Sequence, residues 1–173
     1  MLSKILSKED CAACRFCCSF RRCSLWETPI FTKENIDAIN SDSRFAPVLK
    51  EFTLSSGNCD ADMNYATYDL SGNYQTDDPE EEAPCPYLDV SKGCMLSSEE
   101  KPWDCKIWPL RVVSKDGGEP FVVLTPTCPS INKLDIEKVR EFADDKLRHS
   151  LIEYAKAHPY LIKEYKDDFF IIL

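Results

Sequence analysis

Long apolar runs are missing from this chain. The longest, such as Phe169-Phe-Ile-Ile-Leu173, are far too short to cross a bilayer. The opening stretch, Met1 to Asp10, holds no apolar segment of signal-peptide length, so the expectation is a soluble cytoplasmic protein without a membrane partner. Basic charge is also scarce: 21 Lys and Arg stand against 30 Asp and Glu, a formal net charge of -9. A nucleic-acid footprint needs clustered Lys and Arg, and Arg15, Arg21 and Arg22 form only a local patch, so no nucleic-acid partner is expected. Histidine is nearly absent. His149 and His158 lie in a C-terminal helical stretch and read as surface or packing residues rather than ligands. The chain has no P-loop, no G-x-G-x-x-G, no G-x-S-x-G and no H-E-x-x-H. Neither histidine sits in a motif that would pair it with a nucleophilic cysteine, which argues against a cysteine protease. Any catalysis would have to come from a metal centre.

Cysteine is what the chain does have, 10 among 173 residues. In a reducing cytosol, closely spaced cysteines serve as metal ligands or redox groups more often than as disulfides. Four fall in one run, Cys11-Ala-Ala-Cys14-Arg-Phe-Cys17-Cys18. Thiols at i and i+3 in a turn point at one metal ion, so the overlapping C-x-x-C steps read as a chelating loop. The adjacent pair adds a constraint: neighbouring side chains diverge, so Cys17 and Cys18 do not serve one site with equally good geometry. Two sites sharing a loop, or one polynuclear cluster, would satisfy it. The arginines beside the run would offset the negative charge that thiolates accumulate.

The chain reads as a single α+β domain, loop-rich around a metal core at residues 11–129, with a helical region at 132–173. Thr32 caps a short helix through Ile39 that places Ile36 and Ile39 on one face. Two β-branched runs between Trp108 and Thr125 flank Asp116-Gly117-Gly118 and predict a hairpin in a small antiparallel sheet. Cys105 precedes this hairpin and Cys128 follows it, so pairing would bring the two thiols close. After a cap at Asp135, apolar residues at 136, 139, 142, 143, 147, 151 and 154 form the stripe of one long helix ending before Pro159. The acidic stretch 73–83 reads as a solvated connector.

The later cysteines stand singly: Cys23, Cys59, Cys85, Cys94, Cys105 and Cys128. Cys85 and Cys128 each precede proline, and Cys94 follows Gly93, settings that stiffen the backbone around a ligand. The spacing Cys11-x-x-Cys14-x-x-Cys17 overlaps the core of bacterial [4Fe–4S] ferredoxins, whose next ligand is a Cys-Pro cysteine, a role open to Cys85 or Cys128. Zinc is the competitor, since C-x-x-C knuckles also build Cys₄ zinc sites. Zinc proteins usually show two separated C-x-x-C pairs, whereas this chain concentrates four thiols and scatters the rest. That asymmetry favours an iron–sulfur cluster, [4Fe–4S], over zinc. Trp26, Trp103 and Trp108 flank the cysteine segments and read as a water-excluding shell.

The run and the elements downstream of it resemble the CxxCxxCC cysteine-cluster family (YkgJ-like), described as zinc- or iron-chelating. Cys85-Pro-Tyr-Leu-Asp89, Gly93-Cys94 and Lys101-Pro-Trp-Asp-Cys105-Lys-Ile-Trp-Pro109 are similar to its C-P-x-L-D, G-C and R-P-x-x-C-R-x-x-P elements, in the same order. The resemblance spans residues 11–129 and implies eight ligands: Cys11, Cys14, Cys17, Cys18, Cys85, Cys94, Cys105 and Cys128. Cys23 and Cys59 have no counterpart; Cys59 reads as an incidental thiol and Cys23 as a weak extra candidate. Where the family has Gly after its second cysteine this chain has Arg15, and Lys101 and Lys106 replace two arginines, keeping charge without the planar fork. Three functional readings follow. The first is a protein holding one or two iron–sulfur clusters, with a redox or accessory role beside a partner protein or enzyme. The second is an interaction module stabilised by structural zinc. The third is an iron–sulfur-dependent enzyme with an open metal site.

Overall fold

Thr32 begins the first helix with the cap its sequence predicts. Its side chain accepts from the Asn35 N–H, and Asn35 answers on the Thr32 N–H, a reciprocal capping box. The computed structural model of the chain describes Asp10 and residues 13–21, 27, 29–45, 54–56, 64–66, 82–167 and 169–173. Helices and short strands mix in an α+β fold that divides into two compact units, residues 17–106 and residues 1–16 with 107–173.

The 17–106 unit carries β1 (Ser19–Arg21), β2 (Ile30–Phe31), helix α1 (Lys33–Ser41), β3 (Leu54–Ser56), β4 (Asn64–Ala66), β5 (Glu82–Pro84), β6 (Leu88–Asp89) and β7 (Gly93–Cys94). Helix α2 (Trp103–Ile107) runs from its end into the second unit's sequence. β1 pairs antiparallel with β5, Phe20 opposite Ala83. The strands β2, β4 and β3 form a three-stranded sheet in that order, and β6 pairs with β7. Strands this short cannot hold themselves together. Side chains from several of them meet in one core of Phe20, Phe31, Ile39, Phe45, Tyr87 and Leu96, with Ile36, Met95 and Cys85 packed against it. The Phe45 ring meets Tyr87 edge-on at 5.2 Å, the favoured geometry for an aromatic pair. Ile36 and Ile39 thus share the inward face expected of them. Glu82 and Ala83, expected in a connector, instead lie in β5. Glu82 and Pro84 remain exposed, and the strand has a single neighbour, so polarity and proline are compatible with it. Residues 73–81 of that stretch fall outside the described residues.

In the second unit β8 (Leu110–Ser114) and β9 (Phe121–Leu124) form the expected hairpin, in register from Leu110 opposite Leu124 to Val113 opposite Phe121. Its turn closes with the Gly118 N–H donating to the Lys115 carbonyl at 2.9 Å. Asp116 and Gly117 have φ of 52° and 70°, the paired left-handed residues of a hairpin turn. The sheet is mixed rather than purely antiparallel. β10 (Lys163–Glu164) adds parallel to β8, and β11 (Ile171–Ile172) adds antiparallel to β9. A helical crossover between β9 and β10 makes the parallel step accessible. The C-terminal helical region is broken once: α3 (Ile136–Phe142) is capped by Asp135, and α4 (Asp145–Ala157) by Asp144. Leu151 and Ala155 of α4 are buried, and Pro159 opens a 3₁₀ turn after the helix. Among the described residues no helix is long and apolar enough to cross a membrane.

Gly117 has open space where a Cβ would go, so its only demand is the positive φ. Gly117→Ala is expected to destabilise the protein by about 1 kcal/mol through that backbone penalty alone, measured by denaturant unfolding.

Candidate metal centre

The eight expected ligands are distributed unevenly. Cys11 lies outside the described residues, as do Cys23, Cys59 and Trp26. Cys14, half-buried, and Cys128, buried, belong to the unit of residues 1–16 and 107–173. Cys17, Cys18, Cys85, Cys94 and Cys105 all belong to the 17–106 unit. The described cysteines are free thiols.

Strand pairing gathers the second group. Cys18 immediately precedes β1 and Cys85 immediately follows β5, so the antiparallel ladder leaves them side by side. The Cys85 N–H donates to the Cys18 carbonyl at 2.6 Å, one step beyond the paired residues. A tight turn then starts at Cys85, with the Leu88 N–H donating to its carbonyl at 2.9 Å. The β6–β7 hairpin folds back, Leu88 opposite Cys94, and the Met95 N–H reaches the Tyr87 carbonyl at 2.9 Å. Its connecting turn is held by Asp89, whose Oδ1 accepts from the N–H groups of Ser91 and Lys92 at 2.7 and 2.9 Å. Gly93 leaves the turn at φ 83°, a conformation that explains a glycine directly before the thiol. Cys105 arrives on α2, where its N–H bonds the Pro102 carbonyl at 3.1 Å.

The sulfurs act on one another. Burial pushes the Cys85 thiol well up; the Tyr87 N–H donates to the sulfur and pulls it back, while Cys18 and Cys94 push it further. Protein packed around the Cys94 sulfur raises its proton affinity, although the residue as a whole stays exposed. Lys101 and the Leu96 N–H oppose that rise, and Cys18 and Glu100 add to it. Cys105, also exposed as a residue, is raised by the same withdrawal of water from its sulfur, then by Cys85, Asp104, Cys18 and Cys94. Cys18 alone moves the other way, to about 7, because Cys17 donates a hydrogen bond to its sulfur and Lys101 lies nearby. Cys18, Cys85, Cys94 and Cys105 therefore share one electrostatic neighbourhood, with Lys101 as its cation. The adjacent Cys17 and Cys18 differ in setting, one exposed and the other half-buried, yet their side chains are hydrogen-bonded rather than divergent. Among the described residues, no group of three or more His, Cys, Asp or Glu side chains is placed to hold a metal ion.

Two cysteines carry a feature that suits thiolate ligation. At Cys85 and at Cys94 the N–H of residue i+2 donates to the sulfur, which favours the ionised form. The donor set is soft, four sulfurs and no histidine, matching iron–sulfur clusters, zinc and cuprous copper. Buried Asp104 accepts from the Ile30 N–H at 3.4 Å, and buried Glu100 accepts from the Ser97 N–H at 2.5 Å. Sequence reading did not single out these acids, nor Asn35. Trp103, on α2 two residues before Cys105, is half-buried. His158 is occupied elsewhere: its ring stacks on Tyr154 at 4.3 Å and its Nδ1–H donates to the Tyr154 carbonyl at 2.8 Å.

Two measurements check this geometry. Cys18 is about half ionised at pH 7, whereas Cys85 and Cys105 remain protonated. In metal-free protein, iodoacetamide at pH 7 should therefore modify Cys18 well before Cys85, as read by peptide mass spectrometry. Arg15 sits at φ 53°, the left-handed region that an L side chain disfavours. Arg15→Gly is expected to stabilise the chain by about 1 kcal/mol, seen as a higher denaturant midpoint with an unchanged slope.

Comparisons with protein-family models, with curated proteins and with solved structures find no match to this chain.

Proposed function

We propose that this chain is a thiolate-ligated metal protein, cytoplasmic, in which Cys18, Cys85, Cys94 and Cys105 hold one iron–sulfur cluster. The single observation that carries the proposal is that these four sulfurs, drawn from three separate stretches of sequence, lie close enough for Cys18 to raise the proton affinity of the other three. A core built only to bury thiols would gain nothing from assembling them. Ionising Cys18 raises the cost of ionising the other three, and a cation is what relieves that repulsion. The N–H groups of Tyr87 and Leu96 are aimed at sulfur in advance, and Lys101 offsets part of the remaining negative charge.

A bound cluster would supply one-electron chemistry, at a potential set by hydrogen bonds to sulfur and by exposure. The chain's own residues then have defined tasks. Tyr87 and Leu96 donate to ligand sulfur, Lys101 holds positive charge beside it, and the core beneath Cys85 keeps water from one side. Cys94 and Cys105, exposed as residues although their sulfurs are packed, mark where a redox or enzyme partner would approach. Cys11, Cys14, Cys17 and Cys128 remain metal-ligand candidates through the family resemblance alone. The resemblance to the CxxCxxCC family is part of the same proposal. The left-handed Arg15, at the position where that family has glycine, supports it.

Anaerobic purification followed by iron and sulfide analysis, visible absorption and electron-paramagnetic spectra tests the reading. The expected result is a coloured protein with iron and sulfide in equal amount. A colourless protein with stoichiometric zinc would sink it and leave the zinc module. Cys85→Ser is expected to lower iron content at least about tenfold and to lose part of the fold, because metal binding contributes folding free energy. Cys59→Ser should leave iron content unchanged. Equal iron in both variants would overturn the assignment of ligands.

A further inference from the structure

Asn35 makes more hydrogen bonds than a helix cap requires. Its Oδ1 accepts from the Thr32 N–H at 3.1 Å and from the Thr32 hydroxyl at 3.1 Å. Its Nδ2 donates one hydrogen to the Glu99 carbonyl at 2.9 Å and the other to the Lys101 carbonyl at 3.1 Å. An amide has two acceptor and two donor positions on this group, and all four are in use. The side chain is buried, and its two carbonyl partners lie 64 and 66 residues away in sequence. Because the partners on one side are donors and those on the other are carbonyls, the orientation of the amide is fixed.

The segment that Asn35 grips runs from Cys94 to Cys105. It carries Lys101, the cation beside Cys18 and Cys94, and it leads through Pro102 into the helix that presents Cys105. Within the segment the Lys101 N–H bonds the Ser97 carbonyl at 3.1 Å, and Glu100 turns back to the Ser97 N–H. Those bonds give the loop its shape. Among the described residues, the bonds from Asn35, from the Ile30 N–H to Asp104, and from Arg44 to Glu100 and to the Met95 carbonyl tie it to the 30–45 stretch. Arg44 reaches the backbone of the segment once, at its exposed start and at 3.4 Å, whereas Asn35 holds two carbonyls beside Cys105's helix from inside the core, where water cannot replace the contact.

We infer that Asn35 is a positioning residue for the thiolate centre: by clamping the Glu99 and Lys101 carbonyls it fixes where Lys101 and Cys105 stand relative to Cys18 and Cys94. This rests on the proposed metal-binding role of those cysteines. Aspartate at position 35 keeps the acceptor that serves Thr32 and loses both donors to the loop. It therefore separates capping from clamping. Serine removes the donors with a smaller group, and Thr32→Ala removes the cap while leaving the clamp.

The experiment uses the full chain, anaerobically reconstituted with ferrous iron and sulfide, and follows loss of visible absorbance after addition of a strong iron chelator. Thermal midpoints of the metal-free proteins are measured beside it. Asn35→Asp and Asn35→Ser are expected to lose iron about ten- to a hundredfold faster than the wild type, the range typical of groups that orient ligands from behind. Thr32→Ala should lower the thermal midpoint while its iron loss stays at the wild-type rate. Equal rates in the wild type and both Asn35 variants overturn the positioning role and leave the metal reading intact. If both Asn35 variants fail to fold while Thr32→Ala folds, Asn35 is a structural residue of the unit, and the positioning role is again overturned. A wild-type chain that takes up neither iron nor sulfide instead overturns the iron–sulfur reading itself, and with it the inference.

Discussion

Withdrawal of water from a group of neighbouring sulfurs is the constraint on which the thiol-bearing part of the 17–106 unit turns. Burial raises the proton affinity of Cys85, Cys94 and Cys105, and the sulfurs nearby, Cys18 in every case, add to it. Such a set is stable only when most of its members keep a proton or when a cation replaces the protons. The unit prepares for the second state without abandoning the first. Backbone N–H groups at Tyr87 and Leu96 lean toward the thiolate form, and Lys101 does the same through space. Burial leans the other way. The balance leaves one sulfur, Cys18, ready to ionise near neutrality while its neighbours wait.

The architecture around the thiols follows from that balance. Strands of two or three residues contribute little free energy by themselves, so the thiol-bearing turns depend on what lies beneath and beside them. Beneath is the aromatic core of Phe31, Phe45 and Tyr87, against which Cys85 packs directly. Beside are polar anchors: Asp89 in the exposed β6–β7 turn, and two buried groups, Glu100 in the 97–102 segment and Asn35 on α1 bonded to it. Polar groups buried in this way cost stability unless every one is satisfied. Asn35 meets that condition at all four positions, which makes it a rigid anchor rather than a weak point in the core.

Local pattern made part of this fold legible. The Thr32 cap, the inward Ile39 and the Asp116-Gly117 turn each depend on residues within four positions of one another, and each stands where the sequence places it. The single long C-terminal helix does not. The apolar stripe runs on through Ala143 and Leu147, but Asp144 supplies a second cap and competes for the backbone, so the helix restarts there. β5 escaped notice because a short strand with one partner needs neither alternation nor apolar residues. Within the candidate site, thiol spacing singled out the cysteines, since their clustering is a local feature of the sequence. Which of them gather was not readable, because it follows from the β1–β5 and β6–β7 pairings. Asn35 leaves no signature beyond a capping box, as its other partners lie more than sixty residues away.

The adjacent cysteines show why neighbours in sequence need not be equivalent. Cys17 faces solvent and Cys18 is half-buried, and a hydrogen bond from the first makes the second the more acidic. The pair thus presents one ionised sulfur together with its own proton donor. Positive charge brought to this site would meet Cys18 as the thiolate and offset the part of the proton affinity of Cys85, Cys94 and Cys105 that neighbouring sulfurs add to burial. In the proposed metal-bound state, ligation would therefore be coupled to proton release. The order in which these thiols ionise is set by burial and by a thiol–thiol hydrogen bond, and not by the order of cysteines along the chain.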